Sequence, residues 1–90
     1  MAANKDGFIK LNPKSLKVAV AEWEEQHQPN KIQDEEWVDL IFRGIHELDS
    51  QTLNSLNCIR LSLSSNLIMK LPEFNLKNLQ ILSLSRNRLK

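Results

Sequence analysis

A stretch of eleven residues in the second half of the chain recurs further along with the same order of residue types. Residues 58–68 and residues 79–89 both fit the pattern L-x-x-L-x-L-x-x-N-x-L, with Cys58 replacing the first leucine and Ile68 the last. Five of the eleven aligned positions are identical, and the asparagines of the two copies are Asn66 and Asn87, an offset of 21. Two unrelated amphipathic strands would not explain both asparagines in register, so the chain is expected to stack similar units.

The spacing inside each copy has a physical explanation. Leu61 and Leu63 alternate with polar residues, which is the period of a strand with one buried face. The asparagine follows where the chain must turn, and its amide can satisfy backbone groups that the stack buries. The offset between the copies lies in the range of leucine-rich repeats. We therefore predict an α/β fold, a leucine-rich-repeat solenoid of short repeats.

A fainter copy precedes the two clear ones. Subtracting 21 from the positions of Leu61 and Leu63 gives Leu40 and Phe42, both apolar. Subtracting 21 from the position of Asn66 gives Ile45, so the asparagine is missing from this copy. Such a departure is typical of the terminal unit of a repeat array. We predict leucine-rich repeats over residues 37–90, formed by an atypical capping strand and two repeats. The last repeat is incomplete, so the solenoid is expected to be truncated at its C-terminal end.

An amphipathic helix is predicted upstream of the repeats. Asn12 and Pro13 form a helix start signal, with the asparagine as N-cap and the proline in the first helical position. Apolar residues then recur at the spacing of one helical face, at Leu16, Ala19, Val20 and Trp23. We expect this helix to cover the open end of the first repeat, as end caps of such stacks do. Docking on a partner is the alternative role.

The chain therefore divides into three expected segments. Residues 1–11 are expected to form a flexible N-terminus, as chain ends often do. Residues 12–36 hold the N-terminal capping helix and a linker, in which the segment 32–36, with Asp34, Glu35 and Glu36, predicts a solvated turn. Residues 37–90 hold the repeats.

The sequence offers no catalytic set. His27 and His46 each have one nearby carboxylate, whereas a metal site needs three or four converging ligands. Cys58 takes a core position of the repeat, so we expect a buried thiol rather than a nucleophile. The chain has two glycines and no glycine-rich phosphate loop. We predict that the protein is not an enzyme and takes no cofactor and no metal.

Charge and hydropathy narrow the choice of partner. Twelve basic and eleven acidic residues give a formal net charge of +1, which provides no general attraction to nucleic acid or to an anionic membrane. The sequence has no run of about 18 apolar residues, the length a membrane-spanning helix needs. We therefore expect a protein partner, with no nucleic acid and no membrane.

The outward residues of the predicted strands form the candidate partner-binding surface, on the concave face of the solenoid. Counting by the repeat offset places them in three columns, which are Asp39, Arg60 and Ile81; Ile41, Ser62 and Ser83; and Arg43, Ser64 and Ser85. The serines are small and leave the backbone approachable. The two isoleucines are apolar on a face that should meet water, which can mark a partner site. Alternatively, they are scattered surface residues without a role.

Four segments carry a resemblance to a known family. They read WEE at 23–25, IHELD at 45–49, NCIRLSLSSN at 57–66 and LKNLQILSLSRN at 76–87. From about residue 12 to residue 90 the chain resembles the start of the leucine-rich-repeat light chains of axonemal outer-arm dynein. The repeat alone would indicate only a leucine-rich repeat of the short type found in phosphatase regulators. The helix that contains Trp23 and the Asn57-Cys58 pair at the start of the first full repeat narrow the resemblance to the dynein light chains.

The resemblance implies a function. Light chains of that family bind the axonemal dynein heavy chain in cilia and flagella, at the microtubule-binding stalk, and tune motility without catalysis. It thus implies a location in the cytoplasm and cytoskeleton of the axoneme, with tubulin in the microtubule as a second candidate partner. The alternative is a general leucine-rich-repeat scaffold of the phosphatase-regulator or spliceosomal type, which would also bind proteins.

Overall fold

Short parallel strands lie side by side in two sheets. The computed structural model describes residues 13–90. In chain order the elements are β1 (Lys14–Ser15), α1 (Leu16–Gln26), a 3₁₀ turn (Ile32–Asp34), β2 (Trp37–Asp39), β3 (Ile45–Glu47), α2 (Ser50–Asn54), β4 (Arg60–Ser62) and β5 (Ile81–Ser83). The result is an α/β domain with two parallel sheets, ordered β1-β3 and β2-β4-β5. The flexible segment predicted for residues 1–11 lies outside the described residues.

The three-stranded sheet confirms the step between the two clear repeats and corrects the step before them. Leu61 pairs with Leu82 at the predicted offset of 21. Val38, however, pairs with Leu61, at an offset of 23. The inward positions of the first strand are therefore Val38 and Leu40, both buried, and the predicted inward Phe42 is 61% exposed.

The two additional residues belong to the first return segment. That segment contains α2, whereas the second return segment, between β4 and β5, has no helix. A helix advances about 1.5 Å per residue and an extended chain about 3.3 Å, so a helical path needs more residues to span the same distance. Leu53 and Leu56 of this segment are buried, so the segment packs its apolar side chains into the core.

Helix α1 begins later than predicted. Ser15 is its N-cap and accepts a hydrogen bond from the Val18 amide at 3.3 Å. Asn12 lies outside the described residues, and Pro13 precedes the helix. The cause is β1, since the Lys14 amide donates to the Gly44 carbonyl at 3.0 Å and holds the chain extended there.

The apolar face predicted for α1 is confirmed. Leu16, Ala19 and Trp23 are buried, and Val20 packs partly buried against them. The helix contacts β3, α2 and the 3₁₀ turn. The prediction of a solvated turn at residues 32–36 is wrong for Ile32, which is 1% exposed and whose amide donates to Glu24 Oε2 at 3.0 Å.

The side chain of Asn66 links the segment that follows β2 to the segment that follows β4. Its Oδ1 accepts from the amides of Arg43 at 2.9 Å and Ile45 at 3.0 Å. Its Nδ2 donates to the carbonyls of Leu40 and Leu63, both at 2.9 Å. The predicted role of this amide in satisfying buried backbone is confirmed.

Asn87 repeats the arrangement one unit further along. It donates to the Leu63 carbonyl at 2.9 Å and accepts from the Ile68 amide at 3.0 Å. The turns also repeat, because the non-glycine residues with positive φ recur at the same offsets as the strands. They are Phe42 at 53°, Ser65 at 59° and Arg86 at 57°.

Asn66→Ala is expected to lower the free energy of unfolding by about 3 kcal/mol, because it leaves the buried Ile45 amide, the partly buried Arg43 amide and several carbonyls without this partner. Urea denaturation followed by circular dichroism measures the loss. Asn78→Ala is the matched control, since Asn78 is exposed, and it should change stability by less than about 0.5 kcal/mol. Equal effects of the two substitutions would contradict the role given to Asn66.

Asp49 should make stability depend on pH. Burial raises the pKa of its carboxyl, but hydrogen bonds from Thr52 and from the Lys17 amide outweigh burial and leave the pKa below the ordinary 3.8. A lowered folded-state pKa stabilises the protein above the unfolded-state pKa, and the contribution is lost as pH falls through the folded value. Between about pH 5 and about pH 2, the stability of Asp49→Asn, measured by urea unfolding, should therefore change less with pH than that of the parent.

Candidate protein-binding surface

The outward side chains of β2, β4 and β5 form one continuous surface, which we call the strand face. The strand register sets them in three rows, which are Trp37, Arg60 and Ile81; Asp39, Ser62 and Ser83; and, one step beyond the strands, Ile41, Ser64 and Ser85. The last row is held by a hydrogen bond from Ser85 Oγ to Ser64 Oγ at 3.1 Å. Large side chains thus fill the first row, and serine hydroxyls take four of the six positions in the other two rows.

The structure changes the predicted columns. Because the first step is longer than the second by two positions, Asp39 stands beside Ser62 rather than Arg60, and Ile41 stands beside Ser64. Eight of the nine predicted residues lie on the strand face. Arg43 lies in the turn after β2, where its Nη1 donates to Gln26 Oε1 at 3.0 Å.

Trp37 belongs to the strand face and was missed by the sequence argument. It is 67% exposed at the start of β2. The predicted offset begins the first column at Asp39 and leaves Trp37 outside it. Alternation would have found this residue, since Trp37 is adjacent to the buried Val38 and therefore points outward.

Trp37 and Arg60 form a cation–π pair. The guanidinium carbon lies 4.9 Å from the ring centroid, a contact of about 0.5–1 kcal/mol at an exposed site. Within residues 13–90 Arg60 has no carboxylate in ion-pair distance. The pair borders a shallow depression of about 260 Å³, whose floor includes Ser62 and Ser83.

The electrostatics of the strand face are mixed. Arg60 contributes a positive charge and Asp39 a negative one, while Asp39 Oδ1 also accepts from the Ile41 amide at 3.2 Å. Ile41 and Ile81 are about half exposed, at 47% and 51%. Exposed aromatic, arginine and aliphatic groups around small polar ones are typical of protein-binding surfaces.

The residues considered for chemistry are engaged in structural contacts. Each histidine has its Nδ1 at 2.8 Å from a backbone carbonyl, that of Trp23 for His27 and that of Lys14 for His46. Cys58 is 1% exposed, and burial raises the pKa of its thiol. In the part of the chain that the structure describes, no three His, Cys, Asp or Glu side chains converge as a metal site. No helix over residues 13–90 is long and apolar enough to cross a membrane.

Fold and surface define an α/β domain whose parallel strands expose one face. Over 79 residues the chain is 43% identical to dynein axonemal light chain 1 from Danio rerio, and 39% identical to the proteins of that name from Bos taurus and Homo sapiens. The chain thus resembles dynein axonemal light chain 1 over most of its own length. Each match covers 84% of this chain and 41% of the relative, so the chain spans about two fifths of the relatives' length.

Two other comparisons found nothing. No protein-family profile matches the chain. No solved structure matches it significantly.

The thiol of Cys58 should react slowly while the protein is folded. Burial both blocks access and disfavours the thiolate, which is the reactive form. We expect a thiol-specific disulfide reagent at neutral pH to label the native chain roughly a hundredfold more slowly than the urea-unfolded chain. A native rate equal to the unfolded rate would show that this core position is open.

Proposed function

We propose that the chain forms the first units of a leucine-rich-repeat solenoid, with residues 12–36 as its cap and linker and residues 37–90 as its repeats. The parallel register of β2, β4 and β5, in which each strand pairs with its counterpart in the next unit, supports this. So do the inward asparagines, which tie neighbouring units together. The contacts of α1 with β3 and α2 support its role as the cap.

We further propose that the protein is a non-catalytic regulatory light chain of axonemal dynein, located in the cytoskeleton of the cilium or flagellum. The observation that carries this is the 43% identity to a dynein axonemal light chain 1 over most of the chain. The partner would be the axonemal dynein heavy chain near its microtubule-binding stalk, with the microtubule as a second candidate. The names of these relatives favour this function over a general scaffold.

The strand face is the proposed contact surface. Tryptophan and arginine dominate the energetics of many protein interfaces, because they bury large areas while keeping a polar group available. Trp37 and Arg60 are already held against each other, so a partner would not have to order them. The hydroxyls of Ser62, Ser64 and Ser83 would let a partner helix or strand approach closely.

The test is capture of dynein heavy chain from an axonemal extract by the immobilised chain. We expect the parent chain to retain heavy chain and Arg60→Glu with Ile81→Asp to retain roughly tenfold less, since both changes fall on the edge of the strand face. Both residues are exposed, so the variant should melt within a few degrees of the parent.

Lys77→Glu with Asn78→Asp is the matched control. It makes the same kinds of charge change at two exposed residues of the second return segment. This control should capture as much heavy chain as the parent. Capture that is equal for all three chains would reject the strand face, and no capture by the parent would reject the heavy chain as its partner.

A further inference from the structure

A second depression runs beside the strand face, between the C-terminal end of α1 and β2. We call it the helix–strand groove; it has a volume of about 390 Å³ and is lined by Glu35, Trp37, Asp39 and Ile41. Arg43, His27 and Trp23 complete its walls. Trp37 also borders the depression over the strands, so this side chain separates the two.

The carboxylates of the groove are not neutralised within the described chain. Neither Glu35 nor Asp39 has a Lys, Arg or His nitrogen in ion-pair distance over residues 13–90, where the ion pair present is that of Lys14 with Glu22. Arg43 lines the same groove, where it donates to Gln26 Oε1 at 3.0 Å, so the lining sets two carboxylates against one guanidinium. A cation entering the groove would therefore meet two carboxylates that have no other ionic partner among these residues.

Trp37 adds a second, independent attraction for a cation. Its ring already holds one guanidinium, that of Arg60, at 4.9 Å from the centroid. Tryptophan is the strongest aromatic partner for such groups. The side chain remains 67% exposed with Arg60 in place, which leaves ring surface for a further contact.

We propose that the helix–strand groove binds a lysine or arginine side chain from a basic, partly apolar segment of the protein partner. The charged head would lie between the Glu35 and Asp39 carboxylates, which form stronger hydrogen bonds to a cation than to a neutral donor. The aliphatic stem would pack along Ile41 and Trp37. The inference deepens the proposed function and rests on it, because the groove shares Asp39 and Ile41 with the strand face.

The charge pattern selects this occupant over an acidic one. An acidic side chain in the groove would be repelled by two carboxylates and attracted by one guanidinium, that of Arg43, so the excess of negative charge favours a cation. Arg60 lies across Trp37, on the side of the other depression. A partner could therefore place a basic residue in the groove and an acidic one beside Arg60, and the two charges would fix its orientation.

The direct test uses the ¹⁵N-labelled 90-residue chain and the probe peptide acetyl-Ala-Leu-Arg-Leu-Ala-amide, with a glutamate peptide of otherwise identical sequence for comparison. We expect the arginine peptide to shift the indole Nε1–H signal of Trp37 saturably, and the glutamate peptide to leave it in place. Because the attraction is partly ionic, the affinity should fall as salt is raised.

Two variants locate the binding. Glu35→Gln with Asp39→Asn should weaken the arginine peptide at least tenfold, while the asparagine keeps an acceptor for the Ile41 amide. Glu47→Gln with Glu73→Gln removes the same charge from two exposed residues outside the groove and should leave the affinity unchanged. Equal binding of both peptides, or equal losses in the two variants, would overturn the inference.

Heavy-chain capture separates this inference from the proposed function. If the parent captures heavy chain but the arginine peptide shows no saturable shift, the groove assignment is wrong and the proposed function stands. If the peptide binds as expected but no heavy chain is captured, the groove assignment stands and the heavy chain is not the partner.

Discussion

The buried amide of Asn66 is the interaction on which the rest of the described fold depends. Stacking strands beside one another hides the backbone of each turn from water, and every hidden N–H or C=O then needs a partner. The Asn66 side chain is the partner of five such groups, at Leu40, Arg43, Ile45, Leu63 and Ser64. The leucines provide the apolar burial, but it is the amide that fixes how one unit sits on the next.

The sequence was sufficient for the features that repeat and for those with a simple period. Alternation around Leu61 and the two asparagines predicted strand positions and their turns, because a strand has a period of two whatever its neighbours are. The first register could not be predicted in the same way. It depends on how many residues α2 uses to cross the return path, and that is a property of three-dimensional packing. The predicted start of α1 is wrong for a related reason, since pairing of β1 with β3 overrides the local helix signal at Pro13.

The candidate surface is predicted in outline, but its most exposed large hydrophobic residue, Trp37, is missed. A shift of two positions preserves the alternation of inward and outward residues along the strand. Asp39 and Ile41 therefore lie on the outward face as predicted, although the residues predicted to lie beside them on β4 are wrong. The same shift explains why Trp37 was missed, since the predicted first column begins two residues later, at Asp39. The cation–π pair with Arg60 links residues on two different strands and is visible only once those strands are aligned.

The recurring left-handed turn has a consequence for how such a surface can change. Its backbone shape is kept at Phe42, Ser65 and Arg86, three side chains with nothing chemical in common. Shape and chemistry are therefore separate variables at this position. An aromatic ring, a hydroxyl or a guanidinium can replace one another at this turn without changing the backbone fold. Substitutions at these turns alone can therefore adapt the surface to new partners.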